Sequence, residues 1–421
     1  MFKVYLKQAI AMLKQNKFIS IVSIGGTALA IMMIMVIIVS QSVQNRDIAP
    51  EVNRDRTFYI KNVRFNSKKD AESSNSGPLR YSFYKEFLSD IKTAETTSLI
   101  ALSKFAPNKN MVKSLAHPER LPLNLIQTDA SYWQIMSFNY LEGKPFTKED
   151  SDSGIKTVVL SESTAKKLFG STSNVVGKDV EIDFNSYKVS GIVTDVSRIF
   201  EYASGDAWIP YTSKDGYAHR YYTLLILAKD KGDLPLINDE IRLAESRYNI
   251  TTNSGQNAII WGPYNHKIQR LNIWSNTGPD EKSANNRIIF ILIILFLVPA
   301  VNLTSFSLSR IKKRTEEIGV RKAFGAKKYV ILIQVLYENF ITSLIGGIIG
   351  LCLSYVIVIW LKHWLFDIRD EVSIPLETLV SLPIFLSVFV VCLILNLLSA
   401  GIPAYQASRM TIVSSLTKKE I

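Results

Sequence analysis

Cysteine and histidine are scarce in this sequence of 421 residues. Both cysteines, Cys352 and Cys392, lie inside long apolar runs, and the region 44–287 has none. A disulfide-stapled extracellular scaffold is therefore excluded, and that region must be held together by an ordinary hydrophobic core. The four histidines are scattered without paired spacing, so the sequence gives no indication of a metal site.

Signatures of catalysis are missing as well. The sequence has no Gly-x-Ser-x-Gly and no His-Glu-x-x-His element. Its nearest approach to a phosphate-binding loop, 170–179, has six residues between the glycines where four are needed, and Asp179 follows Lys178 where a Ser or Thr should reach Mg²⁺. We therefore expect no enzymatic activity in this chain, no catalytic residue and no bound cofactor or metal.

Positive charge is confined to three short segments. The segments 1–17, 310–329 and 403–421 hold fifteen Lys and Arg against three Glu, an excess equal to the +12 formal charge of the chain. The long region 44–287 is nearly neutral. Lys and Arg in short segments beside membrane spans mark the cytoplasmic side of a bilayer. The charge thus indicates topology and argues against a nucleic-acid partner.

Lys and Arg are absent from four apolar runs long enough to cross a bilayer, at about 18–43, 288–309, 340–360 and 379–402. Basic residues precede the first run, follow the second, precede the third and follow the fourth. This order predicts that both termini and the loop 310–329 lie in the cytoplasm, with a short outer loop at 361–378. The predicted spans are 18–43, 288–309, 330–360 with its cytoplasmic lead-in, and 379–402.

Segment 1–17 has apolar residues at helical spacing and lysines off that face, which predicts an amphipathic helix on the inner lipid surface. The alternative is a lysine cluster that only fixes topology. Small residues inside two of the spans permit close approach of helix backbones, within the chain or between chains. These candidate packing residues are Gly25, Gly26, Ala30, Gly346, Gly347 and Gly350.

Strand-like and helix-like segments alternate throughout 44–287, which predicts a large α+β domain outside the membrane. The pattern predicts a hairpin over 180–193 with Asn185 and Ser186 at its turn, and a helix over 234–248 behind a cap at Asp233. The polar stretch 66–78 is predicted to be a mobile loop. The expected fold is an α-helical membrane protein of four transmembrane helices, with this domain between the first two.

The loop 314–326, Arg-Thr-Glu-Glu-Ile-Gly-Val-Arg-Lys-Ala-Phe-Gly-Ala, followed by Gln334 and Glu338, resembles the cytoplasmic-loop signature of one family. That family is the MacB/FtsX/LolCE-type permeases, the mechanotransmission class of ABC transporters. The stretches 129–146, 158–170, 176–179 and 189–193 resemble its MacB-like periplasmic core domain. The segment 402–409 is similar to the family's ending after its last span.

The resemblance implies a permease in the bacterial inner membrane that pairs with a second permease chain, either identical or different. Each permease would engage a cytoplasmic ABC ATPase, which would carry the ATP and Mg²⁺. Macrolide exporters of the family have a fused ATPase ahead of the first span, whereas this chain reaches the membrane at about residue 18, so a separate ATPase chain is expected. ATP-driven motion would pass outward through the spans to drive export or extraction of a hydrophobic or peptide-like cargo, with an extracytoplasmic adaptor as a further possible partner.

The resemblance also implies which residues contact the ATPase. The alternative interpretation is that these charges only solvate the loop and fix its topology. The candidate coupling residues are Glu316, Glu317, Gly319, Arg321, Lys322, Gly325, Ala326 and Glu338. As a function, the alternative to a transporter is an FtsX-like regulator of cell-wall hydrolases or a peptide sensor, and a membrane-attached enzyme is disfavoured by the missing motifs.

Overall fold

The computed structural model describes residues 10–11, 13–15, 17–68, 74–102, 110–252, 255–271, 278–313, 315–365 and 382–409. The chain divides into two compact units. The first, called here the membrane unit, comprises Met1–Val43, Asn285–Leu365 and Ile374–Ile421. The second, the outer unit, comprises Gln44–Ala284 and Phe366–Ser373. The predicted outer loop 361–378 lies mostly outside the described residues, as does most of the predicted helix 1–17.

Helices make up the described part of the membrane unit. They are α1 (Lys17–Asn45, whose last two residues belong to the outer unit), α8 (Glu281–Lys313, whose first residues do likewise), α9 (Thr315–Ala323), α10 (Lys328–Trp360), α11 (Lys362–Leu365) and α12 (Leu382–Arg409). The helices α1 and α10 are long and apolar enough to cross a membrane, and α12 contains a shorter apolar stretch, Phe385–Ile394. Helices thus occur at all four predicted runs, and the count of four spans stays a prediction.

Two helix contacts in the membrane unit depend on glycine. A Cβ on Gly350 would lie 2.6 Å from the Ala28 carbonyl oxygen, and one on Gly346 would lie 3.1 Å from the Ile24 carbonyl oxygen, so α10 packs directly against the backbone of α1. Gly347 faces α12, where its Cβ would lie 2.3 Å from the Phe389 ring.

The other predicted packing residues lie on α1. Ala30 is buried there, Gly26 is half-buried, and a Cβ on Gly25 would meet nothing within 4 Å.

The outer unit contains a mixed sheet of fifteen strands among its described residues. Strands β9 and β11 pair in parallel, as do β7 and β12, and the other pairs are antiparallel. The strands are β1 (Thr57–Ile60), β2 (Asn62–Ser67), β3 (Ser74–Arg80), β4 (Ala94–Leu102), β5 (Asn110–Ser114), β6 (Leu121–Leu123), β7 (Leu125–Thr128), β8 (Tyr140–Gly143), β9 (Thr157–Ser161), β10 (Asp179–Ile182), β11 (Asn185–Val193), β12 (Ala207–Pro210), β13 (Tyr221–Ala228), β14 (Gln256–Trp261) and β15 (Tyr264–Asn265).

Short helices and one long helix accompany this sheet. They are α2 (Tyr81–Phe83), followed by the π-helical turn Tyr84–Leu88, α3 (Tyr132–Ile135), α4 (Lys148–Asp152), α5 (Glu162–Phe169), α6 (Leu234–Thr251) and α7 (His266–Gln269). Helix α6 packs Ile237, Ile241 and Ala244 into a cluster of buried side chains with β2, β13 and β14. Two further clusters fill the rest of the unit. The outer unit thus has its own core, as its α+β pattern predicts.

Three local predictions in the outer unit differ from the structure. The hairpin of β10 and β11 turns at Asp183 and Phe184, both with positive φ, and Asn185 already pairs with Ile182. A two-residue hairpin turn of this kind needs positive φ at both of its positions. Asn adopts positive φ more readily than Phe does, so the sequence favoured the Asn-Ser pair as the turn. In the predicted mobile loop 66–78, residues 66–67 belong to β2 and residues 74–78 to β3, and Asn66 pairs with Ser74. Residues 69–73 of that prediction lie outside the described residues. The predicted cap Asp233 precedes α6, but its carboxylate accepts from the Asp230 N–H instead of capping that helix.

A buried polar cluster holds the first residues of the outer unit. The Arg54 guanidinium donates to the Glu51 carboxylate at 2.7 Å and to the backbone oxygens of Gln44 and Arg46 at 3.2 and 2.8 Å. His266 Nε2 lies 3.3 Å from the same Gln44 oxygen, and Arg270 donates to the Gln44 side chain. The Gln44 carbonyl in the last turn of α1, which has no partner within the helix, is thereby satisfied by the Arg54 guanidinium and the His266 imidazole.

Candidate coupling site

Helix α9 lies within the segment predicted to contact an ATPase. Its first turn carries Glu316 and Glu317 and its last turn carries Arg321 and Lys322, so the charges oppose the helix dipole at both ends. Arg321 Nη2 donates to Glu317 Oε1 at 2.6 Å across one turn. Such an exposed pair, with Glu four residues before the cation, stabilises a helix by about 0.2–0.5 kcal/mol. The sequence therefore favours a helix here despite the charge density of the loop.

Gly325 ends this helix. Its φ of +90° is the left-handed conformation that glycine adopts readily. The N–H of Ala326 donates to the Arg321 carbonyl and the N–H of Gly325 donates to the Lys322 carbonyl, both at 3.0 Å, which together form a Schellman motif. The motif reverses the chain within a few residues and starts α10 at Lys328, so Gly325 and Ala326 set the position of α9 against α10.

A chain of hydrogen bonds runs from α9 into α10. Arg321 Nη1 donates to Gln334 Oε1 at 2.8 Å, and Gln334 Nε2 donates to Glu338 Oε1 at 3.1 Å. Arg321 is partly exposed, whereas Gln334 and Glu338 are buried. With the Glu317 contact, the four side chains connect the surface of α9 to the interior of the membrane unit. A buried network of this kind is rigid because each lost partner would leave a costly unsatisfied group.

Apolar contacts also hold α9 against its neighbouring helices. Ile318 packs in a small cluster with Ile311, Ile331, Val335 and Ala404, from α8, α10 and α12. Gly319 is buried beside it. Lys322 Nζ donates to the backbone oxygen of Ser408 on α12 at 2.9 Å, and Ser307 on α8 donates to Asn339 on α10 at 2.6 Å. Helix α9 is thus joined to α8, α10 and α12 at once.

The opposite face of α9 presents apolar side chains to solvent. Phe324 is 89% exposed, and Val320, one turn before it, is also exposed. Tyr329 at the start of α10 is exposed as well, and so is the carboxylate of Glu316. An exposed aromatic ring in a charged loop is a common sign of a protein contact. Val320 and Phe324 were not among the predicted coupling residues, although two apolar residues four apart in a charged segment were a usable signal.

The eight predicted coupling residues have different roles in this arrangement. Glu317, Arg321 and Glu338 belong to the hydrogen-bond chain, and Lys322 binds α12. Gly319 is buried, and Gly325 and Ala326 form the turn. Only Glu316 lies on the exposed side without a described contact to another helix. Gln334 was visible in the sequence as part of the loop signature, but its bridging position depends on how α9 folds back on α10.

Two family models match this chain. The MacB-like periplasmic core domain matches residues 19–244, and the FtsX-like permease C-terminal domain matches residues 289–412. The first covers more than half of the sequence. The second includes the whole candidate coupling site.

Curated relatives are similar over most of this chain. The macrolide export ATP-binding/permease protein MacB of Burkholderia cenocepacia is 24% identical over 299 residues, which are 68% of this chain and 40% of that protein. The probable syringafactin export ATP-binding/permease protein SyfD of Pseudomonas syringae is 23% identical over 68% of this chain and 41% of its own length. The chain therefore spans less than half the length of these relatives.

Solved structures also resemble part of the chain. The periplasmic region of MacB from Actinobacillus actinomycetemcomitans aligns with a TM-score of 0.36 and 17% identity, over 52% of this chain and 94% of that one. The extracellular domain of the ABC-type transporter YknZ from Gram-positive bacteria aligns with a TM-score of 0.34 and 15% identity, over 47% of this chain and 99% of that one.

Proposed function

The chain belongs to the MacB/FtsX-type ABC permease family, and from that premise we propose that it transmits the ATP-driven motion of an ABC ATPase to the outer unit. The motion would drive export or extraction of a hydrophobic or peptide-like cargo. We place the protein in the bacterial cytoplasmic membrane, with both termini and α9 inside and the outer unit outside. ATP and Mg²⁺ would be bound by the ATPase, and the working assembly would contain two permease chains.

The observation that carries the proposal is the two-sided character of α9. One side is exposed and apolar, at Val320 and Phe324, flanked by Glu316. The other side is fixed to three helices by the Arg321–Gln334–Glu338 chain, the Lys322 contact and the Ile318 cluster. A partner bound to the first side would move the helices on the second, because the network between them has few degrees of freedom. This is the arrangement that a mechanical coupling element requires.

Docking can be tested separately from transmission. Phe324→Asp should abolish co-purification of the ATPase from native membranes in mild detergent, because it places a carboxylate at the centre of the apolar contact. A buried aromatic anchor typically contributes at least about 2 kcal/mol, so retention should fall by about 30-fold or more. Phe184→Asp is the matched control, since Phe184 is also a largely exposed ring, on the outer unit.

The outcomes separate the possibilities. ATPase retained by wild type and by Phe184→Asp, but lost with Phe324→Asp, would support docking on α9. Equal retention by all three proteins would move the docking surface elsewhere. Absence of any ATPase from the wild-type preparation would remove the basis of the permease proposal.

Transmission is tested by Gln334→Leu. The substitution keeps the size of the side chain, leaves the exposed face of α9 unchanged and removes the bridge between Arg321 and Glu338. We expect the ATPase to remain bound while its rate no longer responds to reconstitution of the permease in lipid. A response equal to wild type would show that the hydrogen-bond chain is not needed for coupling.

A further inference from the structure

Helix α6 of the outer unit carries an apolar stripe on its solvent face. Leu236, Leu243 and Ile250 are 56%, 64% and 83% exposed and follow one another at intervals of seven residues. Residues seven apart on an α-helix are nearly aligned, so the three side chains form one row about 21 Å long. The core of the outer unit is contacted by the other side of the helix, through Ile237, Ile241 and Ala244. The stripe is therefore not needed for the fold of α6.

The composition of α6 does not suit a lipid surface. Interfacial helices have a broad apolar face bordered by Lys and Arg. Here the apolar row is one residue wide, and the helix carries Asp239, Glu240 and Glu245 against Arg242 and Arg247. A narrow row of large aliphatic residues at heptad spacing is instead typical of contact with another helix.

The charges beside the stripe are arranged symmetrically about Leu243. Asp239 lies four residues before it and Arg247 four residues after it, and Leu236 and Ile250 lie seven residues to either side. In an antiparallel pair of α6 helices centred on Leu243, each Asp239 faces an Arg247 of the other copy and each Leu236 faces an Ile250. In a parallel pair, Asp239 would face Asp239 and Arg247 would face Arg247. The charge pattern is thus complementary to a second copy of the same helix in the antiparallel direction only.

We propose that α6 is a contact between two copies of this chain, related by a two-fold axis that passes through Leu243. The inference rests on the paired permease of the proposed function. Three side chains per copy bury far less than the ~1,600 Å² of a stable interface. The stripe therefore serves copies that are already brought together in the membrane, where it fixes how their outer units meet.

Cysteine cross-linking in native membranes tests the geometry. In a chain carrying Cys352→Ala and Cys392→Ala, Leu243→Cys should form a covalent dimer with a short bifunctional thiol reagent. Lys167→Cys, an exposed site on α5, measures random collision. When two differently tagged copies are co-expressed, Asp239→Cys in one and Arg247→Cys in the other should link as a mixed pair. Asp239→Cys alone should link poorly.

Each outcome of this experiment is decisive. Cross-linking of Leu243→Cys well above Lys167→Cys, together with the mixed 239–247 pair, supports the contact. A 239–239 link in place of the mixed pair overturns the antiparallel arrangement. Co-purification of the two tagged copies without any cross-link at position 243 overturns the contact and leaves the paired permease intact. Failure of the tagged copies and of the ATPase to co-purify contradicts the proposed function itself.

Charge reversal provides a second measurement that does not depend on thiol geometry. Asp239→Arg alone or Arg247→Asp alone should lower Leu243→Cys cross-linking by about three- to tenfold, since each places like charges opposite one another at two symmetric positions. The double variant should restore cross-linking, because the pairs are exchanged but remain opposite in sign. Arg247 also donates to the Phe87 carbonyl of its own chain at 3.2 Å, so a single-variant loss without rescue would indicate that intramolecular role and overturn the charge pairing.

Discussion

The surroundings of His266 constrain the charge of its imidazole. It is buried, with Nε2 directed at the Gln44 carbonyl and the Arg54 and Arg270 cations nearby. Burial, together with these cations, lowers the pKa of His266 from 6.5 to about 3. The folded outer unit therefore holds a neutral imidazole at every physiological pH. Its role is to donate a hydrogen bond to the carbonyl end of α1 without adding a third buried cation.

This burial predicts a pH dependence of stability. Because the folded pKa is depressed, the unfolded state takes up a proton first, and stability is lost as pH falls from about 6.5 toward 3. Between pH 7.5 and pH 5 this group should remove about 2 kcal/mol from the free energy of unfolding. His266→Gln can still donate to Gln44 and should abolish that part of the slope.

Denaturant unfolding gives the free energy of unfolding of wild type and variants at pH 7.5 and pH 5. The effect of His266 is the difference between wild type and His266→Gln in how much that free energy changes between the two pH values. His219→Gln is the control, since His219 is exposed on the same unit. The comparison is needed because burial raises the pKa of Glu51 and Asp129, which act in the opposite direction. An unchanged slope in His266→Gln would contradict the assignment.

Part of the coupling site could be predicted from the sequence at the level of single residues. Glu317 and Arg321 are four apart in a segment with good helix propensity, so their pairing was accessible from spacing. The hydrogen bond from Arg321 to Gln334 could not be predicted from the sequence, because it depends on the turn at Gly325 that brings α9 back along α10. Phe324, the proposed docking residue, was not predicted, because the family resemblance pointed to the charged and small residues of the loop and not to the apolar residues between them.

Helix packing decides the structure at the scale of elements. Gly346 and Gly350 bring the α10 backbone against α1, and Gly347 leaves room for Phe389 of α12. Without a hydrophobic effect to drive association inside lipid, close van der Waals contact of this kind provides much of the stability. The predicted packing residues also included Gly25, where a Cβ would contact nothing, because small residues in a helix do not reveal which face meets a neighbour.

A substitution at Gly350 should separate the two helices. The new Cβ would lie 2.6 Å from the Ala28 carbonyl oxygen, which is backbone and cannot move aside cheaply. We expect Gly350→Ala to destabilise the membrane unit by about 1–3 kcal/mol, the usual cost of overpacking. Gly25→Ala is the matched control, since its Cβ meets nothing and helix propensity improves by up to about 1 kcal/mol.

Thermal unfolding of the purified protein in detergent compares the two variants. The prediction requires a lower midpoint for Gly350→Ala and an equal or higher one for Gly25→Ala. Equal loss in both would mean that the glycines act through helix flexibility and not through the α1–α10 contact.

Strands were predicted with less accuracy than apolar helices, for a physical reason. A continuous apolar run of span length has few alternative interpretations, whereas a strand is stabilised by partners distant in sequence. Strand β3, with the sequence Ser-Asn-Ser-Gly-Pro-Leu-Arg, has little β propensity of its own and forms because β2 and β13 pair with it. Strand β13, by contrast, is apolar over most of its length, so its own sequence favours a strand.

The whole molecule consists of two units with different requirements for stability. Every pairing of the fifteen described strands closes within the outer unit, and its three buried clusters draw only on residues of that unit. The apolar helices of the membrane unit leave many large aliphatic side chains exposed, among them Ile293, Leu297 and Val356. Those surfaces are compatible with lipid and not with water. The combination of apolar helices with a separate α+β unit thus followed from the sequence pattern, whereas the sheet order did not, and the count of four spans stays a prediction.

This division predicts that the segment 44–284 folds without the spans. Expressed alone in aqueous buffer, it should fold and unfold cooperatively, because about 240 residues bury enough apolar surface for an independent core. It should also be monomeric at micromolar concentration, since the α6 stripe is too small to hold two free copies together. Gel filtration and far-UV circular dichroism check both properties. Aggregation, or loss of cooperative unfolding, would mean that the outer unit does not fold independently of the membrane unit.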